Sequence, residues 1–574
     1  MAFACNIALL LISLLHQVFS NELAPVVDTT NGPVRGLTVT LPTGHAVRRY
    51  MGIPFAKAER FKAPVNPEPW TTTKNAFNFG KICPQAITPY TANFKTSEMS
   101  EDCLNLNVFV PNNTAAGAMK SVMVWIYGGG FMNGANRLYE SSILAGEGDV
   151  IVVVVNYRVG IFGFLATGKN GLTGNYGMLD QVKSLQWVKS NIYRFGGDPG
   201  KVTIFGESAG GASVGLLMLS PLANGLFRSA IPQSGSAPPM WAFSDYTHAR
   251  EKASSFGKVI GCADLENMVE CLKDKNFTQI VEATNKIKYT GGAHISPVID
   301  GNFLPDSPIT LLREGKFNDV NVMIGTTDDD GTVMIPEKMP FNISDGMPRE
   351  FFLNAVKATY QTPASPAAVT FQYTDWTNIT DPYRNRRMYV DMMTDAMFTA
   401  PAVLSASAFL ARGCPTYFYE IQYRGPLYFT GKPVPSWQRA YHASELMFVF
   451  GFPLLSNASN PVDANFSRDV IQLWTNFAKT GDPNKPRHAS FVWPAYDAQY
   501  QQYLRLKPSP SSAQHLRADR MAFWNVLMPQ LIASENQPTV KPTTCRPASG
   551  AKQQVLPTTL VFLWFFVFTF VLTK

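Results

Sequence analysis

The chain is poor in charge, in histidine and in cysteine, and each shortage narrows what it can be. Charged residues make up 16% of its 574 residues and apolar residues 46%, a composition with ample core and no signature of disorder. The formal net charge is +7, with no block of Lys and Arg, so the surface is mildly basic and nucleic acid is excluded as a partner. No internal repeat is present, which excludes a stacked-repeat architecture. No metal or other cofactor is expected. No apolar run reaches the roughly 20 residues of a membrane-spanning helix. The one linker-like stretch, rich in Thr, Pro, Ser and Gly, lies near the end, and residues 536–549 read as a stalk.

Both ends read as processing signals. Residues 1–20 lack a positive start but hold an apolar run, Ile7 to Leu15, and then Val18-Phe19-Ser20; the expectation is a signal peptide cut after Ser20. At the other end, Ser549-Gly550-Ala551 precedes a polar spacer, Lys552 to Thr559, and an apolar tail, Leu560 to Leu572. Small residues, spacer and tail match a glycosylphosphatidylinositol-anchor signal over 550–574, with Ser549 as the attachment residue. A short membrane anchor is the alternative. Either places the protein on the outer face of the plasma membrane, or secreted. Six Asn-x-Ser/Thr sequons agree with export: Asn112, Asn276, Asn342, Asn378, Asn457 and Asn465. Cysteines should then pair. Cys5 leaves with the signal, and close spacing suggests Cys83–Cys103 and Cys262–Cys271. The first closure would be worth about 3 kcal/mol. Cys414 and Cys545 have no local partner.

Continuous apolar runs alternate with helical patterns in the first half. Val122 to Ile126 reads as a buried strand, as does Val150 to Val155. Residues 178–192 carry helical spacing, stopped by Gly196-Gly197-Asp198-Pro199. Val202 to Phe205 is a short strand, and an apolar helix follows from Ala209. This alternation indicates an α/β fold with a mostly parallel central sheet flanked by helices. The esterase-like domain is expected over residues 21–535.

Gly206-Glu207-Ser208-Ala209-Gly210 sits between that strand and that helix. This is G-x-S-x-G in the setting where a serine is exposed on a sharp turn. Acyl transfer builds negative charge on an oxygen, and preset N–H groups are its largest stabiliser. Gly128-Gly129-Gly130-Phe131 follows the strand at 122–126, so Gly129 and Gly130 are expected donors, with Ala209 as the third. A serine needs a base, and the base an orienting acid, in chain order Ser, acid, His. Of the downstream histidines, His488 and His515 lie in polar surroundings; His442 precedes Glu445 and an apolar run and is the candidate base. Val322-Met323-Ile324 reads as a strand ending at Gly325, followed by Asp328-Asp329-Asp330. Spacing does not decide among the three aspartates.

With these motifs the sequence resembles the type-B carboxylesterase and cholinesterase family over nearly all of residues 25–530. The likeness runs through Gly52-Ile53-Pro54-Phe55-Ala56, Ser100 to Asn107, Tyr127 to Phe131, Asn156-Tyr157-Arg158, Asn191 to Pro199, the serine motif, Gln233 to Ser236, and His442 to Gly451. It implies an α/β-hydrolase fold with the active site at the foot of a deep gorge. By the family pattern the acid precedes a glycine, which selects Asp330; many relatives carry Glu there. The pattern also supports both disulfides. A third family bridge would fall at Ala400 and Met521, so it is lost, and Cys414 and Cys545 are left to pair, stay free or join two chains.

The resemblance bears on the substrate too. Cholinesterases hold a quaternary ammonium against aromatic faces. The key Trp corresponds to Asn93 here, and further aromatics to Val333, Met334 and Met132; Tyr90 and Phe94 are partial substitutes. The pocket is expected to include Glu207, Trp241, Gly291, Ala293, Val333 and Met334. Two Phe residues that narrow it in acetyl-selective relatives correspond to Gly291 and Ala293. The expectation is therefore a serine carboxylic ester hydrolase preferring uncharged esters with larger acyl groups. The alternatives are a cholinesterase and, more remotely, a non-catalytic adhesion ectodomain. Some relatives dimerise through their last helix; here Phe523, Trp524, Leu527, Met528, Leu531 and Ile532 would form such a face, or part of the core.

Overall fold

The computed structural model describes residues 22–287, 295–336, 338–360, 365–427, 433–456, 460–486 and 491–535. The signal peptide, stalk and anchor signal lie outside the described residues, as do Gly291, Ala293, Asn457, His488, Cys545 and Ser549.

A 13-stranded sheet runs through the molecule. Its strands are β1 (Glu22–Thr29), β2 (Gly32–Thr40), β3 (Ala46–Pro54), β4 (Lys74–Asn75), β5 (Asn105–Pro111), β6 (Lys120–Ile126), β7 (Ile151–Val155), β8 (Gly197–Glu207), β9 (Ser229–Gln233), β10 (Asn321–Thr327), β11 (Thr416–Ile421), β12 (Tyr503–Leu506) and β13 (Ser511–Ala513). The order is β1-β2-β3-β5-β7-β6-β8-β9-β10-β11-β12-β13, with β4 beside β2. From β7 to β12 all pairs are parallel; the flanking pairs β1–β2, β2–β3, β3–β5, β5–β7 and β12–β13 are antiparallel. This is the mixed sheet with helices on its faces of an α/β-hydrolase fold. Residues Val122–Ile126 and Ile151–Val155 are fully buried, as strands covered on both faces must be.

Two boundaries differ from the sequence expectation. The helix Tyr176–Asn191 ends in a 3₁₀ turn, Ile192–Phe195, and Gly196 alone turns the chain; Gly197 to Pro199 already belong to β8. Likewise β10 does not end at Gly325 but runs to Thr327. Gly325 is there because a β-carbon would run into the backbone and ring of Tyr419 on the neighbouring β11.

Both expected disulfides are present. Ala400 and Met521 are both buried, so apolar packing fills the place of the third bridge. Cys414 is buried as well, its thiol pushed up by desolvation, which does not suit a bridge between two chains. Near the end of the described chain Phe523 and Met528 are core, whereas Val526, Leu527 and Ile532 face outward. Among the described residues one continuous helical run, Pro382–Ala411, is long and apolar enough to cross a membrane, but its apolar window is 61% buried, as a core helix would be.

Candidate active site

Ser208 stands between β8 and the helix Ala209–Leu219 with φ 59° and ψ −125°. A side chain there is strained, and the strain is held by packing on all sides. A β-carbon on Gly206 would sit 2.5 Å from the carbonyl oxygen of Ile126, and one on Gly210 would collide with the same oxygen. The motif glycines thus let the turn lie against the end of β6. Ser208 N–H donates to Gln233 O at 2.9 Å, tying the elbow to β9. Ser208 itself is partly exposed while Glu207 and Ala209 beside it are buried.

The glycine loop follows β6. Gly129 and Gly130 have φ of 106° and 62°, and a β-carbon on Gly128 would come within 2.9 Å of the Ser208 β-carbon. Only glycine allows that approach. Ala209 opens its helix, so its N–H has no acceptor within the helix.

The three consecutive aspartates have separate duties. Asp330 Oδ1 pairs with Nδ1 of His442 at 2.8 Å, a carboxylate accepting a hydrogen bond from the ring, and its Oδ2 accepts from Thr327 N–H at 2.9 Å. Asp329 is saturated by arginine: Arg387 donates to both its oxygens at 3.0 and 2.7 Å, and Arg439 donates from Nε and from its backbone N–H, each at 2.9 Å. Asp328 Oδ1 accepts from Ala440 N–H at 2.9 Å; burial raises its carboxyl to about 7, partly offset by Arg439. Asp328 and Asp329 therefore grip the backbone at 439–441, and that grip delivers the His442 ring to Asp330. His515, by contrast, is exposed.

Three buried carboxylates surround the imidazole. Glu207 Oε1 lies 3.0 Å from His442 Nε2, and neither atom has a hydrogen-bond partner among the described residues. Glu445 Oε1 accepts from the Gln233 amide, which in turn accepts from Trp474 Nε1, both at 3.0 Å. Burial, with the neighbouring negative charges, raises Glu207 to about 8 and Glu445 to about 7. Burial works against the charged imidazole of His442, but Glu207 and Asp330 outweigh it and hold its pKa above the ordinary histidine range.

One wall of the site was not foreseen. Phe398 lies 4.8 Å from the His442 ring and 5.8 Å from Trp241. It sits on a π-helical turn, Asp395–Thr399, within the run Pro382–Ala411. Trp241 Nε1 donates to Met397 O at 3.0 Å. Pro401, four residues on, has no N–H to give that carbonyl. A proline inside an otherwise apolar helix was the available signal. Of the other expected pocket residues, Val333 is half exposed, and Met334 packs toward a side cluster with its carbonyl accepting from Tyr389 at 3.2 Å. Phe94 is buried with Ile82, Met99 and Ala135 and offers no wall, whereas the Tyr90 hydroxyl pairs with that of Tyr139 at 2.6 Å.

A partly exposed serine on a strained elbow, an imidazole oriented by a carboxylate and a glycine loop beside the serine form an arrangement able to carry acyl transfer. Sequence comparison finds relatives under more than one name. The chain is 36% identical to acetylcholinesterase of Bungarus fasciatus, covering 89% of this chain and 88% of that one, and 35% identical to liver carboxylesterase of Sus scrofa, covering 90% and 95%. It is also 34% identical to neuroligin-3 of Mus musculus, covering 91% of this chain and 71% of that protein. A model of the carboxylesterase family matches residues 23–524, and the chain belongs to that family.

Proposed function

We propose that the protein is a serine carboxylic ester hydrolase that works through an acyl-enzyme and prefers uncharged esters with larger acyl groups. The observation that carries this reading is Asp330 holding the His442 ring, whose Nε2 lies 3.0 Å from Glu207, the residue before Ser208 on the elbow. Ser208 Oγ attacks the ester carbonyl while His442 takes its proton. The N–H groups of Gly129, Gly130 and Ala209 receive the oxyanion. The imidazolium then protonates the departing alcohol, and water repeats the sequence on the acyl-enzyme. Trp241 and Phe398 form the acyl wall, with Gly291 and Ala293 expected to leave it roomy. Asn93, Val333 and Met334 supply no aromatic cage for a quaternary ammonium.

Export supports the same reading: both disulfides form, and the Asn residues of the five described sequons are exposed. A leader cut after Ser20 and a lipid anchor at Ser549 would hold the enzyme on the outer face of the plasma membrane. Val526, Leu527 and Ile532 would serve a helical contact between two copies.

Steady-state hydrolysis of acetylcholine, butyrylcholine and matched uncharged acetyl and butyryl esters, with Ser208→Ala as the blank, tests this function. The uncharged butyryl ester should have the highest kcat/KM. Choline esters ahead of it would favour the cholinesterase reading. The likeness to neuroligin-3 supports a second reading, adhesion without catalysis, which predicts no ester turned over faster than by Ser208→Ala.

A further inference from the structure

An exposed aromatic patch lies far along the chain from the serine motif, where the helix Ser365–Gln372 ends and the loop toward the helix Pro382–Thr394 begins. Phe371 is 69% exposed and Trp376 60%, with their rings 5.5 Å apart. Trp376 Nε1 donates to Phe371 O at 3.2 Å, so the indole is fixed rather than loose. Bare, immobilised aromatic surface of this kind is costly unless something covers it.

The sequence beside it says what does. Trp376 stands two residues before Asn378 in the sequon Asn378-Ile379-Thr380. Asn378 N–H donates to Asp375 O at 3.2 Å, closing one turn that contains both Trp376 and Asn378. Asn378 Oδ1 accepts from both Thr380 N–H at 3.3 Å and Thr380 Oγ1 at 3.1 Å. Arg384 clamps the turn through Asp375 at 2.7 Å. The other described sequons differ. Asn276 spends its side chain capping a helix, Asn465 sits inside one, and Asn342 bonds only to the backbone of Ser344. At Asn112 the hydroxyl residue Thr114 is buried.

We propose that Asn378 carries an N-linked oligosaccharide whose first sugar lies across the faces of Trp376 and Phe371. The axial C–H groups of a pyranose are weakly positive and complement the negative face of an aromatic ring, as a cation does more strongly. The attachment is a glycosyl transfer from a lipid-pyrophosphate-linked oligosaccharide in the secretory pathway. Asn378 Nδ2 forms a bond to the anomeric carbon, the carbon–oxygen bond to pyrophosphate breaks, the lipid pyrophosphate leaves, and the amide gives up one proton. The aromatic pair is thus a glycan rest and not a protein-docking surface. This rests on the export proposed above.

The full chain, with its own first 20 residues, would be produced in a glycosylating animal cell. Occupancy of every sequon would be measured by glycopeptide mass spectrometry. Hydroxyl-radical labelling of Trp376 would be compared between the wild type and two unglycosylated controls, Asn378→Gln and Thr380→Ala. We expect Asn378 to be occupied, and Trp376 to be labelled several-fold less in the wild type than in either control. Trp376→Ala should lower occupancy at Asn378 but not at Asn112, with ester hydrolysis unchanged as the check on folding. A bare Asn378 beside an occupied Asn112 or Asn276 would overturn the glycan rest alone, as would equal labelling of Trp376 in all three proteins. Absence of sugar from every sequon would overturn export and the glycan rest together.

Discussion

Around Ser208 the backbone is fixed by apolar strands and by glycines that let main chains touch; around His442 it is fixed by charge. On the serine side β6, β7 and the second half of β8 are buried almost throughout, and Gly128, Gly206 and Gly210 sit where a β-carbon would strike a neighbour. On the histidine side Asp329, Asp391, Asp395 and Glu420 interlock with Arg387, Arg439, Arg517 and Arg520. The first kind of support is steric and insensitive to pH. The second couples the end of β10, the helix Pro382–Thr394, β11 and the chain after Arg517 through ion pairs, and it fails where a carboxylate takes up a proton or loses its partner.

Replacing neighbouring aspartates tests this division most severely. Asp330→Asn should cut kcat by about 10⁴-fold with little loss of stability, because the imidazole loses its orienting carboxylate. Asp329→Asn should act mainly on stability: two arginines lose their shared anion, so the melting temperature falls, while kcat of the folded protein drops far less than in Asp330→Asn because Asp328 still holds Ala440 N–H. Paired thermal melts and steady-state kinetics decide, and identical behaviour of the two variants would dissolve the distinction.

Arg517→Ala comes next. It leaves Asp395, fully buried, and Glu420 without their main cation, at an expected cost of about 3–5 kcal/mol in denaturant unfolding. On the serine side, Gly129→Ala puts a β-carbon into the carbonyl of Asn133 at a positive φ and displaces an expected oxyanion donor. We expect kcat to drop by about 10²–10³-fold with KM little changed. The smallest effect is Glu207→Gln. His442 must be neutral to accept the serine proton, and the Glu207 carboxylate favours its charged form. Removing that charge lowers the histidine pKa, so the acid limb of the kcat/KM profile should move to lower pH. A shift to higher pH would mean that the carboxylate does not act on the imidazole through its charge.

The same division explains what was legible in the sequence. The parallel strands, the serine elbow and the glycine loop are local: apolar runs and short motifs carry them, and the structure has them where those patterns stand. Asp328, Asp329 and Asp330 were indistinguishable by spacing because their duties depend on Ala440, Arg439 and Arg387, residues remote in sequence. Family likeness pointed to Asp330, and the hydrogen bond to His442 joins the same pair. Phe398 escaped because a π-turn leaves no apolar periodicity of its own, and the tertiary hydrogen bond from Trp241 helps hold it. Gly325 misled in the other direction: read as a strand end, it is a place where two strands crowd.

Strand order also acts as a ruler. The serine follows β8 and the aspartate follows β10, with only β9 between them. Two inter-strand steps span about 10 Å. An imidazole with a hydrogen bond of about 2.8 Å at each nitrogen covers nearly that distance. On the proposed mechanism, the sheet thus sets the reach of the relay before any side chain is chosen. One further strand inserted between β8 and β10 would leave the ring short of one partner, whatever residues stood at its ends.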